Sequence, residues 1–359
     1  MAGVKEYKCP SCGGMLEFDS TLQKMQCPYC GTELEVSALE EYDSQLNDQT
    51  ANDMTWDNLN GTAWEEQEAE NIRTYICDSC GGEIMTDAST AASSCPFCGN
   101  PVVMMNQFSG DLKPDYVIPF KLDKEAAKTA YRNHLKGKLL LPKSFHDENH
   151  IDEIKGVYVP FWLFNADADA AFRYSGTKKA VWDDGQYVYT KTSYYSIYRK
   201  GNMEFMHVPV EGSTKMEDDL MESIEPFRFE DAVDFRTAYL SGYLADRYDK
   251  TLEDSIERAN DRIRRSISDT LRGTVHGYQT LQEENGKVSL SNRSSNYALY
   301  PVWLLNTTWQ DKKFTFAMNA QTGLFVGDLP TDNRKMILCM AGFSLAFMMI
   351  IFLMFWFFM

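Results

Sequence analysis

The stretch CDSCGGEIMTDASTAASSCPFC, residues 77–98, holds two Cys-x2-Cys pairs separated by fourteen residues, and CPSCGGMLEFDSTLQKMQCPYC, residues 9–30, has the same spacing 68 residues earlier. Both copies read Cys-x-x-Cys-Gly-Gly at the first pair and Cys-Pro-aromatic-Cys-Gly at the second, so the turn chemistry is repeated together with the sulfurs. A Cys-x2-Cys turn brings two thiolates to one ion about 2.3 Å away, and Gly13, Gly14, Gly81 and Gly82 let the backbone fold back beneath it. The expectation is two zinc ribbons, with Cys9, Cys12, Cys27 and Cys30 on one Zn2+ and Cys77, Cys80, Cys95 and Cys98 on a second. Disulfides are the competing use of such cysteines in a secreted chain. No cleavable signal peptide is read before Lys5, however, and the second pairs sit in tight Cys-Pro-x-Cys turns. Four sulfurs on each ion leave no position open for water, which makes the expected sites structural rather than catalytic. Each ribbon closes its own site, so replacing Cys80 by Ser is expected to unfold the second ribbon alone.

Working outward, a chain of 359 residues is longer than two ribbons require and leaves room for one further domain of about 200 residues. The formal charge is −17, and residues 31–72 supply −12 of it, with twelve acidic side chains and no Lys or Arg. Each four-thiolate zinc centre adds a further −2. Affinity for nucleic acid comes largely from Lys and Arg neutralising phosphates. No basic residue occurs between Arg73 and Lys113, and Lys5, Lys8 and Lys24 of the first ribbon are balanced by Glu6, Glu17 and Asp19. A nucleic-acid-associated zinc-ribbon protein of replication or transcription type is therefore the alternative reading, not the leading one.

The segment from Ser37 to Asn71 has the low hydrophobicity and single-sign charge of a linker that cannot offset its own ordering entropy. Trp56 and Trp64 stand within it as candidate partner-binding anchors. Docking of the same side chains on the chain's own surface is the equal alternative.

At the other end, Met336–Met359 is 24 residues without a charge, long enough at 1.5 Å per residue to cross about 30 Å of hydrocarbon. A single transmembrane helix is expected. Arg334 and Lys335 on its N-terminal side point to an N-terminal part that faces the cytoplasm, the reducing compartment that metal-bound thiols also need. Cys339, inside this stretch, reads as a small apolar residue.

Between ribbons and anchor the sequence reads as α+β with antiparallel strands. YVIPF leads into a helix, LDKEAAKTAYRNHLKGK, with Asp123 as N-cap and Gly137 as its stop, and a shorter helix is expected over HDENHIDEIK. Several strands follow over residues 156–211, ending at glycines and turning at Asp184-Gly185. A helical stretch surrounds TKMEDDLMESIEPF. In TLEDSIERANDRIRRSISDTLRG, Leu252, Ile256, Ala259, Ile263, Ile267 and Leu271 step by three or four, giving a helix with one apolar face to lay on a sheet. The last strands repeat an earlier phrase, Trp162-Leu163-Phe164-Asn165 against Trp303-Leu304-Leu305-Asn306, which suggests a duplicated β unit. His146 and His150 lack a third ligand, and no phosphate loop, nucleophile elbow or isolated Cys beside a His is present, so no catalytic residue is assigned.

The expected organisation is zinc ribbon 1 over residues 1–35, an acidic linker over 36–72, zinc ribbon 2 over 73–103, a linker over 104–114, the α+β domain over 115–330 and the membrane helix over 336–359. The CPSCGG and CDSCGG knuckles with CPYCG and CPFCG, followed by VYVPFWLF, YPVWLLN, FAMNAQTG and VGDLP, resemble the bacterial zinc-ribbon membrane proteins of the YdjG-like group. The resemblance runs over nearly the whole chain. Members of that group are labelled by their ribbons as TFIIB-type or PriA-helicase-like, although no helicase motor is read in this sequence. The resemblance implies a membrane adaptor that recruits protein partners, PspA or SPFH-domain proteins, in envelope-stress systems; no enzymatic activity is expected, because no catalytic constellation is read in the residues.

Overall fold

The computed structural model describes residues 7–40, 52–56, 61–105, 112–146, 151–310 and 312–358. The chain divides into two compact units, one of Met1–Asn58, Asn165–Val208 and Glu257–Ser294, the other of Leu59–Phe164, Pro209–Ile256 and Ser295–Met359. The class is α+β. The strands are β1 (Glu17–Asp19), β2 (Lys24–Gln26), β3 (Glu33–Leu34), β4 (Thr62–Ala63), β5 (Ile72–Ile76), β6 (Glu83–Asp87), β7 (Val103–Met105), β8 (Leu112–Lys113) and β9 (Tyr116–Val117), then β10 (Lys155–Asp183), β11 (Val188–Glu211), β12 (Val233–Asp234), β13 (Leu244–Asp246), β14 (Thr280–Trp309), β15 (Lys312–Asn319) and β16 (Phe325–Gly327). The main helices are α1 (Lys124–Leu135), α2 (Asp218–Ser223), α3 (Leu252–Gly273) and α4 (Asn333–Phe358).

Strands β1, β2 and β3 form a small antiparallel sheet, while the large sheet runs β12-β9-β14-β10-β13-β6-β5-β7, with β11 on β10 and β15 and β16 beyond β14. The continuous apolar runs of β10 and β14 explain their central position, because a strand covered on both faces needs no polar alternation. Along β14 the side chains still alternate in destination. Ala298, Tyr300, Val302 and Leu304 enter one core with Val157, Val159, Phe161 and Leu163 of β10. Trp303 and Leu305 enter a second core with Tyr131 and Leu135 of α1 and Phe316 of β15. That is the period-two geometry of a strand between two layers. Helix α1 begins as expected, with Asp123 Oδ1 accepting from Ala126 N at 2.8 Å, and Gly137 past its end holds φ +79°.

In the first unit, Ala259, Ile263 and Ile267 of α3 are buried, and the Arg264 guanidinium lies 5.6 Å from the Phe172 ring of β10. Residues 156–211 form two long strands, not several. Gly176 and Gly201, expected as strand ends, are interior to β10 and β11. At Gly176 a Cβ would stand 2.8 Å from both Ile197 Cδ1 and Tyr278 Cδ1, so the glycine marks a close approach between neighbouring elements rather than a break. The turn at Asp184 is as expected, with Asp184 Oδ1 accepting from Gln186 N at 2.9 Å and Tyr187 N at 2.8 Å. Of the helix expected over HDENHIDEIK, residues 147–150, His150 among them, lie outside those described, while His146 ends a 3-10 turn over Lys143–His146 and Lys155 already begins β10, so no helix spans the stretch as expected.

The repeated phrase belongs to a repeated structure. Val157 and Tyr158 of β10 pair in parallel with Leu244 and Ala245 of β13, and Ala298 and Leu299 of β14 pair in parallel with Tyr116 and Val117 of β9. Each short strand leads into a helix, β9 into α1 and β13 into α3. Trp162 Nε1 donates to Lys250 O and Trp303 Nε1 to Leu122 O, both at 2.9 Å, each acceptor lying in the loop after a short strand. In the same loops Tyr248 packs at 5.1 Å from Trp162 and Phe120 at 5.3 Å from Trp303, ring centre to ring centre. A strand, helix and long strand thus occur twice, and each copy's short strand pairs with the long strand of the other.

Candidate metal centres

All four Cys-x2-Cys turns share one backbone geometry. Cys9 N donates to Gly14 O at 2.7 Å and Gly13 N to Cys9 O at 2.8 Å; Cys77 N donates to Gly82 O at 2.9 Å and Gly81 N to Cys77 O at 2.7 Å. The second pairs repeat it, with Cys27 N to Thr32 O and Gly31 N to Cys27 O, both at 2.9 Å, and Cys95 N to Asn100 O at 2.7 Å. Closing each loop requires a left-handed residue, and Gly13, Gly31, Gly81 and Gly99 hold φ of +73°, +70°, +67° and +78°. The repeated glycines are therefore a conformational requirement of the turns.

These turns bring the cysteines together in two quartets, Cys9, Cys12, Cys27 and Cys30, and Cys77, Cys80, Cys95 and Cys98, with the sulfurs of each within 4.8 Å of one another. Cys9 and Cys30 Sγ are 3.6 Å apart, Cys12 and Cys27 3.4 Å, Cys77 and Cys98 3.4 Å, and Cys80 and Cys95 3.6 Å. A disulfide would need about 2.0 Å. A tetrahedron of thiolates about 2.3 Å from a central ion has edges of roughly 3.8 Å. The donor sets therefore fit a four-coordinate metal, and two ions can be held per chain. In such a site the thiolates fill every position, so the metal supplies cross-linking and no water for chemistry.

Each quartet contains one thiol whose proton is held weakly. The Thr32 hydroxyl beside Cys30 pulls that thiol down to about 6. At Cys98 burial works upward, but the Asn100 N–H and neighbouring thiols outweigh it and bring the group down to about 7. Burial pushes Cys80 and Cys95 up. Metal capture therefore displaces protons mainly from thiols that burial keeps protonated, Cys80 and Cys95 in the second quartet.

The surroundings differ. Cys9, Leu16, Cys27 and Leu39 make up a small core of their own. The second quartet is part of the large sheet: β5 pairs with β6 and β7, and β6 pairs with β13 through Met85↔Ala245 and Ile84↔Asp246. Cys77, Cys95 and Phe97 lie in the same core as Ile118, Val157 and Tyr300. Three side chains that the sequence did not single out reach the second quartet. Lys155 Nζ donates to Ser94 O at 3.1 Å and Cys95 O at 3.3 Å, Asn306 Nδ2 donates to Pro96 O at 2.5 Å, and Lys313 Nζ donates to Phe97 O. No local signal announces them, because they lie 60 to 216 residues from their acceptors.

Of the two candidate anchors, Trp56 is 9% exposed and donates through Nε1 to Asn260 Oδ1 at 2.8 Å. Nearby, Asp53 bridges to Ser289 and accepts from Arg293 Nη2 at 2.9 Å. Trp64 is half-buried and stands edge-on to Phe235 at 5.7 Å. Helix α4 is charge-free from Met336 onward, and Asn333–Met354 is long and apolar enough to cross a membrane, with none of its most apolar stretch buried.

The uncharacterized protein YdjG of Bacillus subtilis (strain 168) is 32% identical to this chain over 322 residues, covering 76% of this chain and 94% of the relative. No family model matches the chain, and no solved structure matches it.

Proposed function

We propose that this chain, which belongs to the YdjG family, is a membrane-anchored adaptor whose two metal centres are structural zinc sites and whose N-terminal part faces the cytoplasm. The observation that carries the reading is the presence in one chain of two closed four-sulfur clusters and an exposed helix of membrane length that is charge-free from Met336 onward. Thiolate donors favour zinc among abundant divalent ions, and unpaired thiols need a reducing compartment. Arg334 and Lys335 at the start of α4 favour the same side of the membrane. Anchoring raises the effective concentration of any membrane-associated partner, so weak contacts suffice for recruitment. The partners expected from the family resemblance are PspA or SPFH-domain proteins in envelope stress and membrane maintenance, and no catalytic step is assigned to the chain.

The test combines metal analysis, fractionation and imaging. The full chain should carry two zinc ions and sediment with membranes, and a fluorescent PspA or SPFH-domain protein should gather where it is expressed. Deleting Met336–Met359 should release the chain and abolish that gathering. Recruitment that survives the deletion unchanged overturns the adaptor reading, and a chain with fewer than two ions overturns the zinc assignment.

A further inference from the structure

We propose that Lys155, Asn306 and Lys313 form a clamp on the Cys95–Cys98 turn that governs how firmly the second centre retains its metal. The inference rests on the zinc assignment above. Four consecutive carbonyls, those of Ser94, Cys95, Pro96 and Phe97, all accept hydrogen bonds from these three side chains. The donors come from three different strands, β10, β14 and β15. Lys155 Nζ also reaches Ser94 Oγ at 2.5 Å. Asn306 is itself held, since its Oδ1 accepts from Thr315 Oγ1 at 2.8 Å. On the inner side of the turn, Phe97 N points at Cys95 Sγ at 3.4 Å.

Two physical effects follow. A turn whose carbonyls are pinned from outside cannot swing its sulfurs away from the ion without leaving part-buried acceptors unsatisfied. The two ammonium groups also place +2 beside a centre that carries −2 when four thiolates hold one Zn2+, and this attraction is stronger at a half-buried site than in bulk water. The first centre provides a built-in control. Among the described residues no lysine, arginine or asparagine side chain donates to its turns, and its contact of this kind is Cys30 Sγ with Thr32 Oγ1 at 3.0 Å. Asn165, which occupies the place of Asn306 in the duplicated phrase, bonds Ser294 Oγ at 3.2 Å and accepts from His207 N at 2.7 Å. The clamp is thus a specialisation of one copy of the repeat.

The experiment measures zinc release to a chromogenic chelator from the full chain in detergent, in a Cys12→Ser/Cys30→Ser background that leaves the second centre alone. Lys155→Met/Lys313→Met should release zinc about ten-fold faster or more, as loss of groups that orient metal ligands typically does. Lys155→Arg/Lys313→Arg should restore much of the retention, because it keeps the charge. Asn306→Ala should quicken release by a smaller factor. Melting is followed with and without chelator: a merely structural role would lower both transitions equally and leave the release rate unmoved, which would overturn the proposal. If the double Met variant does not fold, Lys313→Met and Asn306→Ala decide by the same criterion. A parent that binds no zinc defeats the zinc assignment and the clamp with it, whereas a parent that binds zinc with variants releasing at its rate defeats the clamp alone.

Discussion

Tyr29 and Phe97 occupy the same place in two copies of one motif, Cys-Pro-aromatic-Cys, yet Tyr29 is 78% exposed and Phe97 is 3% exposed. The cysteine turns around them are closely alike in hydrogen bonding and in the left-handed glycines. The difference lies in what each quartet is attached to. The first closes over a core of Cys9, Leu16, Cys27 and Leu39, with Tyr7, Met25 and Leu34 at its edge. In the second, Ile84, Phe97, Cys77 and Cys95 merge with the side chains of β10 and β14, and its strands pair into the large sheet. One cysteine quartet therefore organises a small fold around itself, while the other is a fastening within a larger one. A shared motif specifies the local turn and leaves its energetic weight to the surroundings.

The largest effect that would break this contrast comes from the ligands. Cys77→Ser, or removal of metal from the second centre, should lower the main melting transition by roughly 4 kcal/mol or more, since it opens a buried metal site in the shared core. Cys9→Ser should leave that transition in place and melt only its own ribbon. Equal effects in the two variants, seen by near-ultraviolet circular dichroism of the detergent-solubilised chain, would remove the distinction. The paired aromatics come next. Phe97→Ala should cost about 3–5 kcal/mol, against about 0.5 kcal/mol or less for Tyr29→Ala, a surface change. Chemical denaturation of both variants gives the comparison directly.

A third expectation concerns pH in the second unit. Glu211 is 6% exposed, and among the described residues neither of its carboxylate oxygens has a hydrogen-bond partner. Burial pushes its pKa up to about 9, with Lys250 pulling the other way and Asp218, Asp246 and Asp249 adding to the rise. The folded value lies above the unfolded one, so folding takes up a proton between them. The stabilisation is full below the ordinary Glu value and is lost as pH rises toward 9. The second unit's melting temperature should fall between pH 6 and pH 9, and Glu211→Gln should flatten that slope and raise stability at pH 8 by about 1 kcal/mol or more. The smallest effect is in the first unit, where Asn260→Ala removes the partner of Trp56 Nε1 and should destabilise it by about 1 kcal/mol, with a change in tryptophan fluorescence. An unchanged spectrum would show that the contact does not hold Trp56 in solution.

Much of the fold was legible because its signals are local. Asp123 caps α1 through a neighbouring N–H, Asp184 closes its hairpin through residues two and three positions on, and the apolar steps of α3 fall on one face by helical period alone. Gly176 and Gly201 misled for the same reason: a glycine at a turn and a glycine beneath a packed side chain look identical in sequence, and only the positions of Ile197 and Tyr278 over Gly176, and of Leu271 over Gly201, separate them. The matched tryptophans 162 and 303 were visible as a phrase. Their role, each fastening the loop after a short strand, required knowing which short strand crosses to which long one.

The sequence by itself determined the two cysteine quartets and the geometry of their turns, because each turn closes over a few residues around a left-handed glycine and the two pairs of each quartet recur within 22 residues. It also determined the apolar helix, because length and lack of charge suffice. Tertiary structure alone decided that the second quartet belongs to the large sheet, that Lys155, Asn306 and Lys313 converge on one turn, and that Glu211 is buried. Each of these depends on strands brought together from distant parts of the chain, and chain-distant contacts are set by the summed burial of two cores, which no single stretch of residues encodes.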